Sequence, residues 1–550
     1  MLMSIIIPLL FVSGIVEVDS HINKSDIDTS SLKQDRSADS CYRVASLELN
    51  RKYGLDCRTT AELNLKTIET ACEIASKHGA KILLLPEDGI IYEPRTQLET
   101  CLEEIPDPTK LTDGTNNPCQ HVTIYNDSMP ILSKLSCLAN QHKIYLIGNY
   151  VTKQSCRSGS RIDEEICPDR GYFMLNTNVV MDPQGTFVQR YRKYNTFFLT
   201  EIFDKAPGLE LSYFDTPYGR FGVFTCFDIL FPQPSLALLD QFKVDTVLFP
   251  TWWFDELPIL SALQFQDAWS MAHGVNLISA NIIRPEIGSS GSAIFSDKKT
   301  LFSGARGSKT RVLMADIAKH GTEGSCEFKP QIVDVGKDES VANYKHFSIE
   351  ILPTDSTTSL EAGHGLQTRC AGEVCCLIDY EATRIDSNSS DRLLLIVRDS
   401  PRAGFYGWYE QFCVLATIRG DQEKQTDDSS IKRQDVNFLV DAAFKFERLK
   451  ITVNSTTKYM YPLGAHNVDK LIARDKRHFE CVQHNKNDIL CDIASQDLCN
   501  VSCEHSLIMD KQDKELDVYS FGLYGRKYSK DVKPKRGVKP IEHHHRRSEF

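Results

Sequence analysis

Hydrophobic and polar residues alternate along Tyr42-Arg43-Val44-Ala45-Ser46-Leu47-Glu48-Leu49 with the two-residue period of a strand, so an ordered domain is expected to open there, after the polar stretch 21–40. The period then lengthens. Between residues 59 and 78, Ala61, Leu63, Leu65, Ile68, Ala71, Cys72, Ile74 and Ala75 recur at helical spacing, with Thr59 or Thr60 available as the N-cap. A short buried strand is predicted at 81–85, and a second helix and strand at 129–142 and 144–148. Segments 174–176 and 186–188 flank the turn signal Asp182-Pro183-Gln184-Gly185 and read as a hairpin. A strand at 244–251, a helix at 259–273 and strands at 275–282 and 292–295 continue the series. Strands alternating with helices imply an α/β layered sheet.

Beyond about residue 309 the long helical patterns stop, and short β-like runs at 393–397 and 438–440 take over. The reading is therefore a first α/β domain over 38–310, a second, mainly β domain over 311–525, and a solvated basic tail over 526–550, which includes His543, His544 and His545. A chain of 550 residues exceeds one ordinary core, which agrees with two domains. The apolar stretch near Met1 is shorter than the ~20 residues of a membrane span and reads as a secretory signal peptide over 1–20.

Composition adjusts this picture in three respects. With 41% hydrophobic and 25% charged residues the chain is globular, and a net charge of -11 argues against nucleic acid as a main partner. Eighteen cysteines fit an oxidising compartment, where they pair. Adjacent Cys375 and Cys376 must then find separate partners, and the stretches 101–119 and 156–167, polar and bounded by cysteines, read as disulfide-tied surface loops. Five glycosylation tripeptides, at Asn23, Asn126, Asn388, Asn454 and Asn500, fit surface loops of an exported protein. No hydrophobic tail follows the last domain, so no stable membrane anchor is expected.

Candidate chemistry sits where apolar strands stop. Ile82-Leu83-Leu84-Leu85-Pro86 ends at Glu87, Val188 to Arg192 ends at Lys193, and Val223-Phe224-Thr225 ends at Cys226. Each has a plain alternative: a core or disulfide cysteine, a solvated acid, one more charge beside Arg190 and Arg192. Their shared placement at strand ends of an α/β pattern, where such sheets carry their sites, favours chemistry. A thiol needs a base or a positive field to become a nucleophile. Glu87 can take its proton and later activate water, while Lys193 and the main-chain N–H of Phe227 can stabilise the oxyanion of an attacked carbonyl. An amide or nitrile carbon suits that set. Trp252, Trp253 and Phe254 follow a strand and read equally as pocket wall or core. A zinc site through Cys491, Cys499, Cys503 and His505 is a weaker alternative, since exported cysteines more often pair as disulfides.

Leu85-Pro86-Glu87-Asp88-Gly89-Ile90, Arg190-Tyr191-Arg192-Lys193 and Phe224-Thr225-Cys226-Phe227-Asp228-Ile229-Leu230-Phe231 resemble the three motifs of the carbon-nitrogen hydrolase (nitrilase) superfamily, in its biotinidase and vanin branch. The resemblance extends through Pro250-Thr251-Trp252, Leu257-Pro258, Ala268-Trp269 and Gly291-Ser292. It implies an α-β-β-α sandwich with Glu87 as proton acceptor, Lys193 as oxyanion stabiliser and proton donor, and Cys226 as nucleophile. It implies no metal and no organic cofactor, and a smaller β domain that packs against or shapes the pocket. The expected activity is hydrolysis of a small vitamin-derived amide by a secreted enzyme, pantetheine-like or a biotin amide. A secreted relative that binds without turnover is the alternative from another class. The sequence leaves the oligomeric state open.

Overall fold

The computed structural model describes residues 40–531 apart from 112–113, 164, 198–201, 290, 297–298, 304–307, 320–321, 323–325, 337–346, 349–354, 403–407, 419–442, 456, 458–459, 467–471, 474–476, 484–502 and 510–517. The expected signal peptide, Asn23, Asn500, the strand at 438–440 and most of the basic tail lie outside the described residues. So do Cys491 and Cys499 of the zinc alternative. Among the described residues no cluster of three or more His, Cys, Asp or Glu could hold a metal ion, and no helix is long and apolar enough to cross a membrane.

The chain enters as β1 (Cys41–Glu48), α1 (Cys57–Lys77) and β2 (Ala80–Leu84), and α2 (Pro130–His142) with β3 (Tyr145–Ser155) repeats the unit. β4 (Tyr172–Met181) and β5 (Phe187–Arg192) then form the hairpin. β1, β2 and β3 are parallel, and β4 runs antiparallel to β3. A second sheet holds β6 (Ser212–Thr216), β7 (Gly219–Val223), β8 (Thr246–Thr251), β9 (Asn276–Asn281), β10 (Ala293–Phe295) and β11 (Lys299–Phe302), with α3 (Ala262–His273) between β8 and β9. β7, β8 and β9 are parallel.

Strand alternation assembles these layers. In β1 and β2, Val44, Ile82 and Leu84 join the core between the sheets, whereas Ala45, Leu47 and Leu83 join a second core under α1 and α2. Both faces of the sheet are covered, as parallel strands require. The result is the α-β-β-α sandwich.

Two local expectations change. The N-cap of α1 is Asp56, whose carboxylate accepts from Thr59 N at 2.8 Å, so Thr59 is the third residue of the first turn rather than the cap. Residue 310 does not end the domain either. β12 (Arg311–Ala318) pairs antiparallel with the whole of β1, and Gln331–Asp334 follows beside it. A strand with no helix after it resembled the start of the β domain, yet Val312 and Met314 fill one core while Leu313, Ala315 and Ile317 fill the other.

The C-terminal half is mainly β, as expected. Its two five-stranded sheets enclose a core of their own that includes Val374, Cys376, Ile378, Leu395, Leu415, Ile451 and Leu523. The strand Val518–Arg526 closes it, and Arg526 is fully buried, so the solvated tail begins later than residue 526.

Six disulfides join described residues: Cys41–Cys326, Cys57–Cys101, Cys119–Cys137, Cys156–Cys167, Cys370–Cys375 and Cys376–Cys413. Cys375 and Cys376 do take separate partners, because consecutive strand residues point to opposite faces. Cys101 and Cys119 do not close a loop on each other; each ties the segment to a helix. Asn126, Asn388 and Asn454 are exposed.

Candidate active site

Four strand ends converge between the sheets. Glu87 lies three residues past β2, Lys193 directly after β5, Cys226 three residues past β7, and Trp252 directly after β8. All four side chains are at most 6% exposed, so ion pairing and hydrogen bonding are felt with little screening.

Lys193 Nζ donates to Glu87 Oε1 at 2.6 Å, and Asn176 Nδ2 donates to the same oxygen at 2.9 Å. Trp252 N donates to Glu87 Oε2 at 3.0 Å, while the Trp252 carbonyl accepts the Cys226 thiol at 3.7 Å. One residue thus links acid and thiol through its main chain. The ring of Trp252 faces away, 4.5 Å from the Arg51 guanidinium, which also stacks on Tyr92 and donates to the Asp88 carbonyl at 2.7 Å. Trp253 differs from its neighbour: its ring stacks on Phe265 and its indole N–H donates to Leu260 O, so it is core.

Cys226 opens a short helical turn, Cys226–Leu230, with φ of 47°. A side chain in the left-handed region costs on the order of 1 kcal/mol and persists only where its surroundings enforce it. Here Asp228 enforces it. Its carboxylate accepts from Thr225 N at 3.1 Å and from Tyr191 OH at 2.6 Å, and from Asn195 N at 2.8 Å and Nδ2 at 2.9 Å. Tyr191 and Asn195 bracket Lys193, so one buried carboxylate clamps the lysine segment to the Cys226 turn. Phe227, second in that turn, packs on Phe197, Phe231 and Trp408, the last from the C-terminal half.

Burial pushes the Cys226 thiol up to about 12; the Glu87 charge adds to this and Lys193 opposes it. For Lys193, burial favours the neutral amine, but the charge of Glu87, with Cys226 and Asp228, holds the ammonium above its ordinary value. Burial, then the neighbouring Glu87, pushes Asp88 up to about 8, and burial pushes Asp228 up to about 6. The resting site therefore holds a neutral thiol together with an ammonium and a carboxylate that contact each other, the components of acid-base and nucleophilic chemistry on a carbonyl.

All three residues singled out from strand ends meet here. The polar residues that hold them, Asn149, Asn176, Asn178, Tyr191, Asp228 and Arg51, were not singled out. For the three asparagines the visible signal is polarity inside strands otherwise apolar, such as Asn176 and Asn178 within Met174-Leu175-Asn176-Thr177-Asn178-Val179-Val180, while Tyr191 and Asp228 lie inside the motifs without a role of their own.

Comparison with known proteins meets this geometry. Residues 43–258 match the carbon-nitrogen hydrolase family model, and residues 338–531 match the vanin C-terminal domain model. The chain belongs to the carbon-nitrogen hydrolases, in the branch that carries a vanin C-terminal domain, and is a hydrolase of linear amide carbon-nitrogen bonds. It is 32% identical over 404 residues to a pantetheinase of Mus musculus, covering 72% of this chain and 75% of that one. It is 30% identical over 403 residues to a pantetheinase of Bos taurus, with the same coverage. It is also 40% identical over 242 residues to a biotinidase of Mus musculus, covering 44% of this chain and 45% of that one.

Proposed function

We propose that this hydrolase cleaves the amide of a small vitamin-derived molecule, pantetheine foremost, through a thioester on Cys226. Glu87 takes the thiol proton as sulfur attacks the carbonyl carbon, because a thiol held near pKa 12 does not ionise beforehand at neutral pH. Lys193 and the Phe227 N–H receive the oxyanion. The tetrahedral species collapses as the carbon-nitrogen bond breaks, and the amine leaves with the proton held by Glu87. Glu87 then deprotonates a water that attacks the thioester, releasing the acid and restoring the thiol.

The observation that carries this reading is the shared Glu87 carboxylate, with Lys193 on one oxygen at 2.6 Å and the main-chain N–H of Trp252, whose own carbonyl accepts from Cys226, on the other at 3.0 Å. Pantetheine is preferred to a biotin amide because the pantetheinases of Mus musculus and Bos taurus align over 72% of the chain, whereas the biotinidase of Mus musculus aligns over 44%. The disulfides support secretion, since such bonds form in oxidising compartments.

Incubation with pantetheine and with biotinyl amides separates the two substrates by product. Intact-mass measurement is expected to show an acyl adduct on Cys226 that Cys226→Ala loses. An active Cys226→Ala enzyme sinks the mechanism, and cleavage of biotinyl amides alone reverses the substrate preference.

A further inference from the structure

Between Glu87 and the nucleophile turn runs a row of buried side-chain amides that takes no part in the chemistry above. Asn149 on β3 and Asn176 and Asn178 on β4 are each at most 2% exposed, and Asn149 lies directly across from Asn178 in the strand register. Polar groups in a sheet interior are costly unless every donor and acceptor is met.

These meet one another in a fixed order. Asp88 N donates to Asn149 Oδ1 at 2.7 Å, and Asn149 Nδ2 donates to Asn176 Oδ1 at 2.7 Å and to Asn178 Oδ1 at 2.6 Å. Asn176 Nδ2 donates to Glu87 Oε1 at 2.9 Å and Asp88 Oδ1 at 3.3 Å, and Asn178 Nδ2 donates to Thr225 Oγ1 at 2.8 Å. An amide side chain can flip, but a main-chain N–H can only donate. The Asp88 N–H therefore fixes the oxygen of Asn149, which fixes the nitrogens of both β4 amides. The path is a ring: the residue after Glu87 sets the polarity of the donor that Glu87 receives. Its side branch ends on Thr225, the residue before Cys226.

We propose that Asn149 is a positioning residue for the hydrolysis, whose amide holds the Glu87 carboxylate and the Cys226 turn in one rigid frame without touching the thiol. This rests on the roles assigned above to Glu87 and Cys226. Asn149→Asp is nearly isosteric but puts an oxygen where two acceptors need a donor, so the β4 amides must turn and Asn176 then offers its oxygen to Glu87.

The test reads pantetheine turnover beside alkylation of Cys226 by iodoacetamide, followed at the peptide level from pH 6 to 10, in wild type and Asn149→Asp. The expected result is a kcat lower by about 100-fold, the scale of a displaced general base. KM is expected to stay within about twofold, and the alkylation curve to move to higher pH. Should Asn149→Asp fail to fold, Asn176→Ser and Asn178→Ser, which each cut one arm, are expected to lower kcat at constant KM. A folded Asn149→Asp, or the serine pair, with wild-type kcat and an unmoved alkylation curve overturns the proposal, as does a loss confined to KM. If alkylating Cys226 leaves wild-type turnover intact, the nucleophile assignment falls, and that result is distinct from failure of the amide frame.

Discussion

Arg526, the last residue of a strand in the C-terminal half, donates from Nη1 to the carbonyl oxygen of Leu230 at 2.7 Å, and Leu230 ends the turn that Cys226 begins. The guanidinium also stacks on Phe231, Trp408 and Tyr528 and pairs with Asp531 at 2.7 Å. Arg526→Met keeps the bulk but strips the donors from the buried Leu230 carbonyl and the partly exposed Asp531 carboxylate. It is expected to cost about 2–3 kcal/mol in urea denaturation, as for a hydrogen bond from a charged group, and to lower kcat more than it raises KM. Unchanged kinetics in a destabilised variant would confine Arg526 to holding the halves together.

Lys193→Met leaves the Glu87 carboxylate buried without its cation. Breaking such a pair from one side costs about 3–5 kcal/mol, whereas removing both charges is often near neutral. The double variant Glu87→Gln with Lys193→Met is therefore expected to be more stable than Lys193→Met alone, while both lose at least about 10³-fold in kcat. Thermal unfolding of the four proteins in the cycle measures the coupling, and additive losses would remove it.

The left-handed conformation of Cys226, with φ of 47°, separates stability from activity. Cys226→Ala and Cys226→Gly are both expected to be inactive, but glycine adopts this conformation freely and is expected to be the more stable by about 1 kcal/mol. Calorimetry of the two variants decides this, and an alanine variant equal to the glycine one would show the turn relaxing without the thiol.

Asp88 supplies a pH dependence with a definite sign. Its folded pKa, about 8, lies above its unfolded value near 4, and the charged groups facing it are Glu87, Arg51 and Lys193. Its contribution to stability is whole below about pH 4 and is lost as pH rises through about 8. Asp88→Asn removes this titration. The unfolding midpoint of that variant is expected to gain on wild type as pH rises from 5 to 9. A difference constant across the range refutes the raised pKa.

Glu87, Lys193 and Cys226 were legible in the sequence because each terminates an apolar strand, and a strand end in a layered α/β fold is where a side chain can reach a site. What held them was not. The Asn149 to Asn178 pairing depends on strand register, and the Trp252 contacts are main-chain contacts that any residue type but proline can make. β12 lies beyond the last helical pattern, so periodicity alone assigns it to the β domain, and only its pairing with β1, 263 or more residues earlier, returns it to the first. The partners of Cys101 and Cys119 depend on which helices lie beside the loop, which periodicity alone does not reveal.

Ser520, on the strand that Arg526 ends, donates to Pro258 O at 2.6 Å and accepts from Gln264 Nε2 on α3 at 3.0 Å, while Phe265 of α3 packs against Tyr461 and Tyr524. The outward side of α3 is thus upholstered by the C-terminal half, and Ile472–Ala473 from that half even extends the catalytic sheet beside Lys299 and Thr300. A gene cut between the two matched segments would strip an apolar helix and bare a strand edge at once, a combination that invites self-association. The two halves are separate in sequence but form a single unit of exchange, so swaps between relatives should carry both.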